Sequence, residues 1–328
     1  MKYLILGSNS FGGASLIQYL LSNEQEVVGV SRSRQSHELL CPYKNHSNIK
    51  AFSFYQYDIN KNFNELSKLI SNYKPAYIID FAGQGMVAES WKTPEQWYQT
   101  NFVAKARLHN YLRQCDFLER YLRVSTPEVY GNTSSMVDEN QPFNPSTPYA
   151  VSHAAIDMSL KAFYQQYQFP VILTRFANFY GIGQQLYRII PRTIIYALLG
   201  KKIMLHGGGK SERAFIYGED IASGIDKALK KGKPGETYHF SSGQTILIAD
   251  LVKMICDRMH INFDTFAEST ADRPGKDAVY SMNTEKAKRE LDWMPSVSLA
   301  QGLDNAITWL SPHVDTIKNL PLDYIHQA

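Results

Sequence analysis

Two short segments hold side chains suited to moving a proton and a hydride. The first, Ser125-Thr126-Pro127-Glu128-Val129-Tyr130-Gly131, closes an apolar run. The second, Tyr149-Ala150-Val151-Ser152-His153, follows a proline and opens an amphipathic stretch. A hydroxyl and a carboxylate at a strand end, facing a tyrosine at a helix start, suit oxidation and reduction of a sugar hydroxyl through its keto form. Each proton-transfer group needs hydrogen-bond reach and a tuned pKa to act. Each also has a plainer use: Thr126 and Glu128 as a helix-capping pair, Tyr149 as the residue after a helix-opening Pro148.

The flanking pattern says what must position these groups. Apolar runs at 3–6, 27–30, 49–55, 77–81, 121–125 and 171–175 read as strands. Helix-like stretches at 12–21, 62–71, 94–113 and 149–167 lie between them. Alternating strands and helices imply right-handed crossovers and an α/β fold, a Rossmann-type doubly wound parallel sheet. After residue 177 the rhythm breaks into glycine-rich connections. Residues 1–177 are therefore expected to form a dinucleotide-binding domain with 213–240 threaded back into it. Residues 178–212 and 241–328 are expected to form a smaller C-terminal substrate-binding lobe.

The turn after the first strand, Gly7-Ser8-Asn9-Ser10-Phe11-Gly12-Gly13, places small residues at a helix N-terminus, where backbone amides hold a pyrophosphate. The second strand runs into Ser31-Arg32-Ser33-Arg34, with no acidic side chain to bond an adenosine ribose. Two arginines and two hydroxyls suit a 2′-phosphate instead, so NAD(P) is the expected cofactor, with NADP favoured.

Taken together these segments resemble the extended short-chain dehydrogenases that modify nucleotide sugars. They are most similar to the dTDP-glucose and GDP-mannose 4,6-dehydratase branch, over nearly the whole chain. The resemblance rests on Ser125-Thr126-x-Glu128-Val129-Tyr130-Gly131, on Pro145-x-x-Pro148-Tyr149-x-x-Ser152, and on Asn178-Phe179-Tyr180-Gly181 with Arg188-Ile189-Ile190-Pro191. Gly207-x-Gly209-x-x-x-Arg213 with Asp220, and Asp272-Arg273-Pro274-Gly275-x-Asp277, complete it. It implies cofactor contacts from Gly7, Ser10, Phe11, Gly13, Ser31, Arg32, Asp58, Ile59, Ala82 and Gly83, together with Tyr149 and His153. It implies catalysis by Thr126, Glu128, Tyr149 and His153, and substrate contacts from Asn178, Arg188, Arg213 and Arg273. Tyr149 would deprotonate the sugar 4-hydroxyl, Thr126 would bond the same oxygen, and Glu128 would remove the C5 proton. The implied substrate is a nucleotide diphosphate sugar, and the implied assembly a homodimer paired through the helices at 94–113 and 149–167.

Two departures stand out. The family's 4,6-dehydratases carry Asp or Ser where this chain has Pro127, which has no proton to give a leaving C6 hydroxyl. The family also carries lysine four residues after the tyrosine, where this chain has His153. Neutral imidazole supplies no fixed charge near pH 7, so slow C4 oxidation is expected. A 4-epimerase, a 5,6-dehydratase, a decarboxylase or a non-catalytic nucleotide-sugar-binding protein stand as alternatives.

Composition excludes other classes. In 328 residues, 20% are charged and 44% hydrophobic, with a net charge of +3, too small to argue for nucleic acid. No apolar window approaches a membrane span. Cys41, Cys115 and Cys256 lack metal-ligand spacing and fit a reducing cytoplasm. No metal site is expected.

Overall fold

A computed structural model describes residues 1–133, 135–271 and 281–327. The chain runs through β1 (Lys2–Leu6), α1 (Phe11–Ser22), β2 (Glu26–Ser31), β3 (Phe52–Gln56), α2 (Phe63–Tyr73) and β4 (Tyr77–Asp80). It continues through α3 (Pro94–Tyr98), α4 (Ala104–Leu112), β5 (Arg120–Ser125), α5 (Pro148–Tyr167), β6 (Val171–Phe176) and β7 (Asn178–Tyr180). Then come α6 (Ile189–Leu198), β8 (Ile203–His206), β9 (Glu212–Tyr217), α7 (Gly218–Lys231), β10 (Thr237–Phe240) and β11 (Thr245–Leu247). The last are α8 (Ile248–Arg258), α9 (Phe263–Phe266), β12 (Ala267–Thr270), α10 (Glu285–Leu291), α11 (Leu299–Leu310) and α12 (Val314–Ile317).

Seven parallel strands form the main sheet in the order β10-β6-β5-β4-β1-β2-β3. The strands are apolar because both faces are covered, as buried parallel sheets require. In β1, Tyr3 and Ile5 join the core under α1 and α7, while Leu4 and Leu6 join the core under α2, α4 and α5. The strand order reverses between β1 and β4, so a crevice opens there at the carboxyl ends, the place where such sheets bind nucleotides.

The expected helix at 94–113 is broken into α3, a π-helical turn at Gln99–Val103, and α4. The expected strand at 49–55 starts only at Phe52, because Ile49–Ala51 forms a 3-10 turn. The stretch 213–240 divides in two. Its first residues form β9, which pairs with β7 and β11 in a separate three-stranded sheet, and only α7 and β10 return to the main one. The smaller lobe is built on α6, α8 and α11 with their own apolar core. No helix among the described residues is long and apolar enough to cross a membrane.

Candidate active site

The carboxyl ends of the strands open onto two adjoining cavities. The smaller, about 360 Å³, is lined by Gly7, Ser10, Ser31, Arg32, Asp58, Ile59, Ala82 and Gly83. The larger, about 930 Å³, is lined by Phe11, Thr126, Glu128, Tyr149 and His153 on one side and by Asn178, Arg188 and Arg213 on the other. Thus the sequence-derived residues fall into two connected groups, one at the sheet crevice and one between sheet and lobe. Gly13 lines neither cavity. It sits in the first turn of α1, where its amide donates to Ser10 Oγ at 3.1 Å. Arg273 lies outside the described residues.

The smaller cavity fits a dinucleotide. Gly7 has φ of +78°, and a Cβ there would stand 2.6 Å from the Ala82 amide nitrogen. Only glycine lets β1 turn this closely against the end of β4. The turn delivers the N-terminus of α1 to the cavity, a site suited to pyrophosphate. The loop after β2 is tied to it: Asn9 N donates to Ser31 Oγ at 2.9 Å, and Asn9 Nδ2 donates to Ser33 O and Arg34 O. Asp58 accepts from Asn60 N at 2.7 Å, shaping the turn after β3.

Sequence reasoning missed the tail that crosses this cavity. Tyr324, Ile325 and Gln327 line it. Gln327 O accepts from Arg32 at 2.9 Å and from Gln84 at 3.0 Å. His326 stacks on Trp97, with centroids 5.2 Å apart and planes at 7°. No local sequence pattern marks such a contact, because it joins residues more than two hundred positions apart.

In the larger cavity, β5 ends at Ser125, and Thr126 caps a 3-10 turn over Pro127–Tyr130 by accepting from Glu128 N at 3.3 Å. The capping role and the chemical role therefore coexist in one residue. Opposite it, Thr147 caps α5 and Pro148 occupies its first turn, which places Tyr149 at the helix mouth. Burial and the Glu128 carboxylate push the Tyr149 phenol up to about 12. The Thr126 hydroxyl and the charges of Arg123 and Arg188 act in the other direction.

His153 is buried, and its ring centroid lies 4.5 Å from that of Tyr149. Its Nδ1 is 3.0 Å from an Arg123 guanidinium nitrogen. Guanidinium can only donate, so Nδ1 accepts and the ring proton sits on Nε2. Burial first, then the charges of Arg123, Lys105 and Arg175, hold the His153 pKa well below its usual value. His153 is a neutral imidazole, as its residue type suggested.

Behind this ring lie charged side chains absent from the sequence reading. Lys105 bonds Asp80 Oδ2 at 2.6 Å, and Tyr121 donates to the same oxygen at 2.7 Å. Arg175 and Ser125 both bond Asp157 Oδ2 at 2.7 Å. Asn101, in the π-helical turn, holds Gln84 N and O and bonds Ser152 Oγ at 3.0 Å. A signal for some of these was present: a charge inside an apolar strand, as in Tyr-Leu-Arg123-Val or Tyr-Ile-Ile-Asp80, is rare unless paired.

Comparison with known proteins agrees with this geometry. The family model described as GDP-mannose 4,6 dehydratase matches residues 4–306. A dTDP-glucose 4,6-dehydratase of Haemophilus influenzae is 28% identical over 331 residues, covering 94% of this chain and 97% of that protein. The human dTDP-D-glucose 4,6-dehydratase is 30% identical over 281 residues, covering 84% of this chain and 79% of its own. Among solved structures, a dTDP-glucose 4,6-dehydratase from Streptomyces venezuelae with NAD bound superposes with a TM-score of 0.88. It is 26% identical and covers 96% of this chain and 98% of its own.

Proposed function

The chain belongs to the GDP-mannose 4,6 dehydratase family, and from that premise we propose that it is a nucleotide-sugar 4,6-dehydratase working through a transient 4-keto sugar. The observation that carries this reading is the meeting of Thr126, Glu128 and Tyr149 on the wall of one cleft beside a dinucleotide-shaped pocket. When bound, a nicotinamide dinucleotide supplies a reversible hydride acceptor, so the overall reaction consumes no oxidant. Tyr149 takes the proton of the sugar 4-hydroxyl, and Thr126, whose hydroxyl lines the same cavity and eases ionisation of the phenol, orients that oxygen. The resulting ketone acidifies the C5 proton, which Glu128 removes. The departing C6 hydroxyl then needs a proton. Pro127, which lines the same wall, has none to give, and the proton taken up by Glu128 is the one in place. Return of the hydride to C6 and a proton from solvent at C5, matched by the proton that Tyr149 releases, give the 4-keto-6-deoxy sugar and one water.

Arg188 and Arg213 lie across the cleft from Tyr149 and suit the diphosphate, which guanidinium binds through charge-assisted hydrogen bonds. The basic turn after β2 supports NADP binding, since Ser31, Arg32, Ser33 and Ser36 line the smaller cavity with no carboxylate among them. A homodimer is supported by an exposed apolar stripe. Val103 is 49% exposed, and Val151 and Met158 on one face of α5 are 40% and 61% exposed. Leu108 and Leu112, by contrast, are core residues. A cytoplasmic location fits the free thiols of Cys41, Cys115 and Cys256.

Mass spectrometry of a nucleotide-sugar panel incubated with the protein tests the assignment. Loss of water from a substrate supports dehydration. Unchanged mass with altered stereochemistry would instead favour a 4-epimerase, the reading in which Pro127 is harmless. No change with any sugar would sink both.

A further inference from the structure

We propose that Arg123, a positioning residue on β5, supplies the fixed positive charge that activates Tyr149, held toward the tyrosine by the neutral ring of His153. This rests on the reading of Tyr149 as the base that opens the reaction.

The argument starts from charge balance in a buried compartment. Five fully ionisable side chains lie together beneath α5: Asp80, Lys105, Arg123, Asp157 and Arg175, each no more than 1% exposed. Asp80 is satisfied by Lys105 at 2.6 Å, whereas Arg123 stands 3.8 Å from the same oxygen. Asp157 Oδ2 is paired with Arg175 at 2.7 Å. Burial and the Arg123 charge hold the Lys105 ammonium down to about 8, so below that pH two carboxylates neutralise two of the three cations. The charge left over belongs to Arg123, a guanidinium with five donors and no acceptor.

A surplus buried cation is costly, and folds rarely keep one without use. Its surroundings indicate the use. One edge of the Arg123 guanidinium bonds His153 Nδ1 at 3.0 Å, and the His153 ring packs against the Tyr149 ring. Everything charged that acts on His153 is cationic: Arg123, then Lys105, then Arg175. The imidazole therefore stays uncharged and cannot itself be the cation. It acts as a spacer and hydrogen-bond acceptor that fixes the guanidinium behind the phenol. The charged groups acting on Tyr149 are Glu128, Arg123 and Arg188. Glu128 opposes ionisation, while Arg188 is exposed on the far side of the cleft and weakened by solvent. Arg123 is the buried contribution, acting where the dielectric is low and the geometry is fixed in advance.

The reaction step is unchanged in its balance. Tyr149 gains the proton of the sugar hydroxyl, and Arg123 exchanges none. What Arg123 alters is the stability of the phenolate before that transfer.

The test replaces Tyr149 with a ring-fluorinated tyrosine, whose phenol is intrinsically more acidic, and follows its fluorine resonance against pH. This reads the phenolate without turnover. Arg123→Leu should move the midpoint up by about one pH unit or more, the effect of losing an opposite charge nearby. A loss of fold would instead lower it, toward the value of about 10 of an exposed phenol. Arg123→Lys should titrate near the parent, and Arg123→Leu with His153→Lys should return toward it, the lysine restoring a cation closer to the phenol. An unchanged midpoint in Arg123→Leu, in protein retaining the parent's circular dichroism, overturns the proposal. If no sugar nucleotide is turned over by the parent, the dehydratase reading fails, while the titration still decides the role of Arg123.

Discussion

Thr126 and Tyr149 line the same cavity, but their removal should not be equivalent. Tyr149→Phe deletes the base itself and should lower single-turnover reduction of bound cofactor by about two to four orders of magnitude, the usual contribution of a positioned acid–base group. Thr126→Ala leaves the base and removes a hydroxyl that eases its ionisation, so a smaller loss is expected. Because burial and Glu128 hold the phenol up to about 12, its ionised form is the minority form near neutrality. The rate should therefore climb as pH rises from 6 to 9, and a profile flat across that range would mean that Tyr149 is not the base (the reduced cofactor is followed by its absorbance). Arg213→Ala is a binding variant rather than a chemical one. Losing a charge-assisted bond costs about 1.5–3 kcal/mol, so calorimetry should show sugar-nucleotide affinity falling by roughly ten- to a hundredfold. Unaltered affinity would take Arg213 out of the substrate site.

The strands and helices that carry these residues were legible wherever a local pattern recorded burial. The run Tyr3–Leu6 is apolar because both faces of β1 are covered, and Pro148 marked the start of α5 because its fixed φ suits a first turn. What was illegible depends on partners distant in sequence. The π-helical turn at Gln99–Val103 is held where Asn101 bonds Gln84 and Ser152, and nothing in 94–113 states that those partners exist. Likewise β9 has an apolar pattern that suits either sheet, and its pairing with β7 and β11 decides the outcome. Tyr149 and His153 could be read, but Arg123 could not be assigned until β5 was seen to lie beneath α5. The tail is the clearest case of structure without local signal, and it carries its own prediction. Since Gln327 O bonds Arg32 and Gln84 beside the cofactor cavity, removing residues 321–328 should speed dinucleotide release while leaving the main sheet folded. Stopped-flow displacement of bound cofactor would show this, and an unchanged release rate would mean the tail lies over the cavity without holding its contents.

Acid should unfold this protein earlier than its carboxylates alone would suggest. His109, His153 and His239 are all buried and are held below their ordinary pKa chiefly by desolvation, His109 and His239 down to about 3. In the unfolded chain each would titrate near 6.5. Below that pH the unfolded state binds protons that the folded state refuses, so stability present above pH 6.5 is lost as pH falls. Each histidine contributes a slope of about 1.4 kcal/mol per pH unit, and the three together about 4 kcal/mol per unit once pH is well below 6.5. Asp80, whose carboxyl is held low by Lys105 and Arg123 against the cost of burial, adds a loss of the same sign at lower pH. Glu139 works the other way, since burial raises its pKa, but only where carboxyls titrate. Set against a typical stability of about 5–15 kcal/mol, the histidine slope brings unfolding within reach between pH 5 and 4. Urea midpoints measured at pH 7.5, 6, 5.5 and 5 should fall steadily. Replacing His239, which bonds Tyr130 at 2.8 Å, with Gln should reduce the slope by roughly a third while lowering stability at pH 7.5. Constant stability from pH 7.5 to 5 would show that these rings are protonated in the folded protein, and the neutral spacer role of His153 would fall with them.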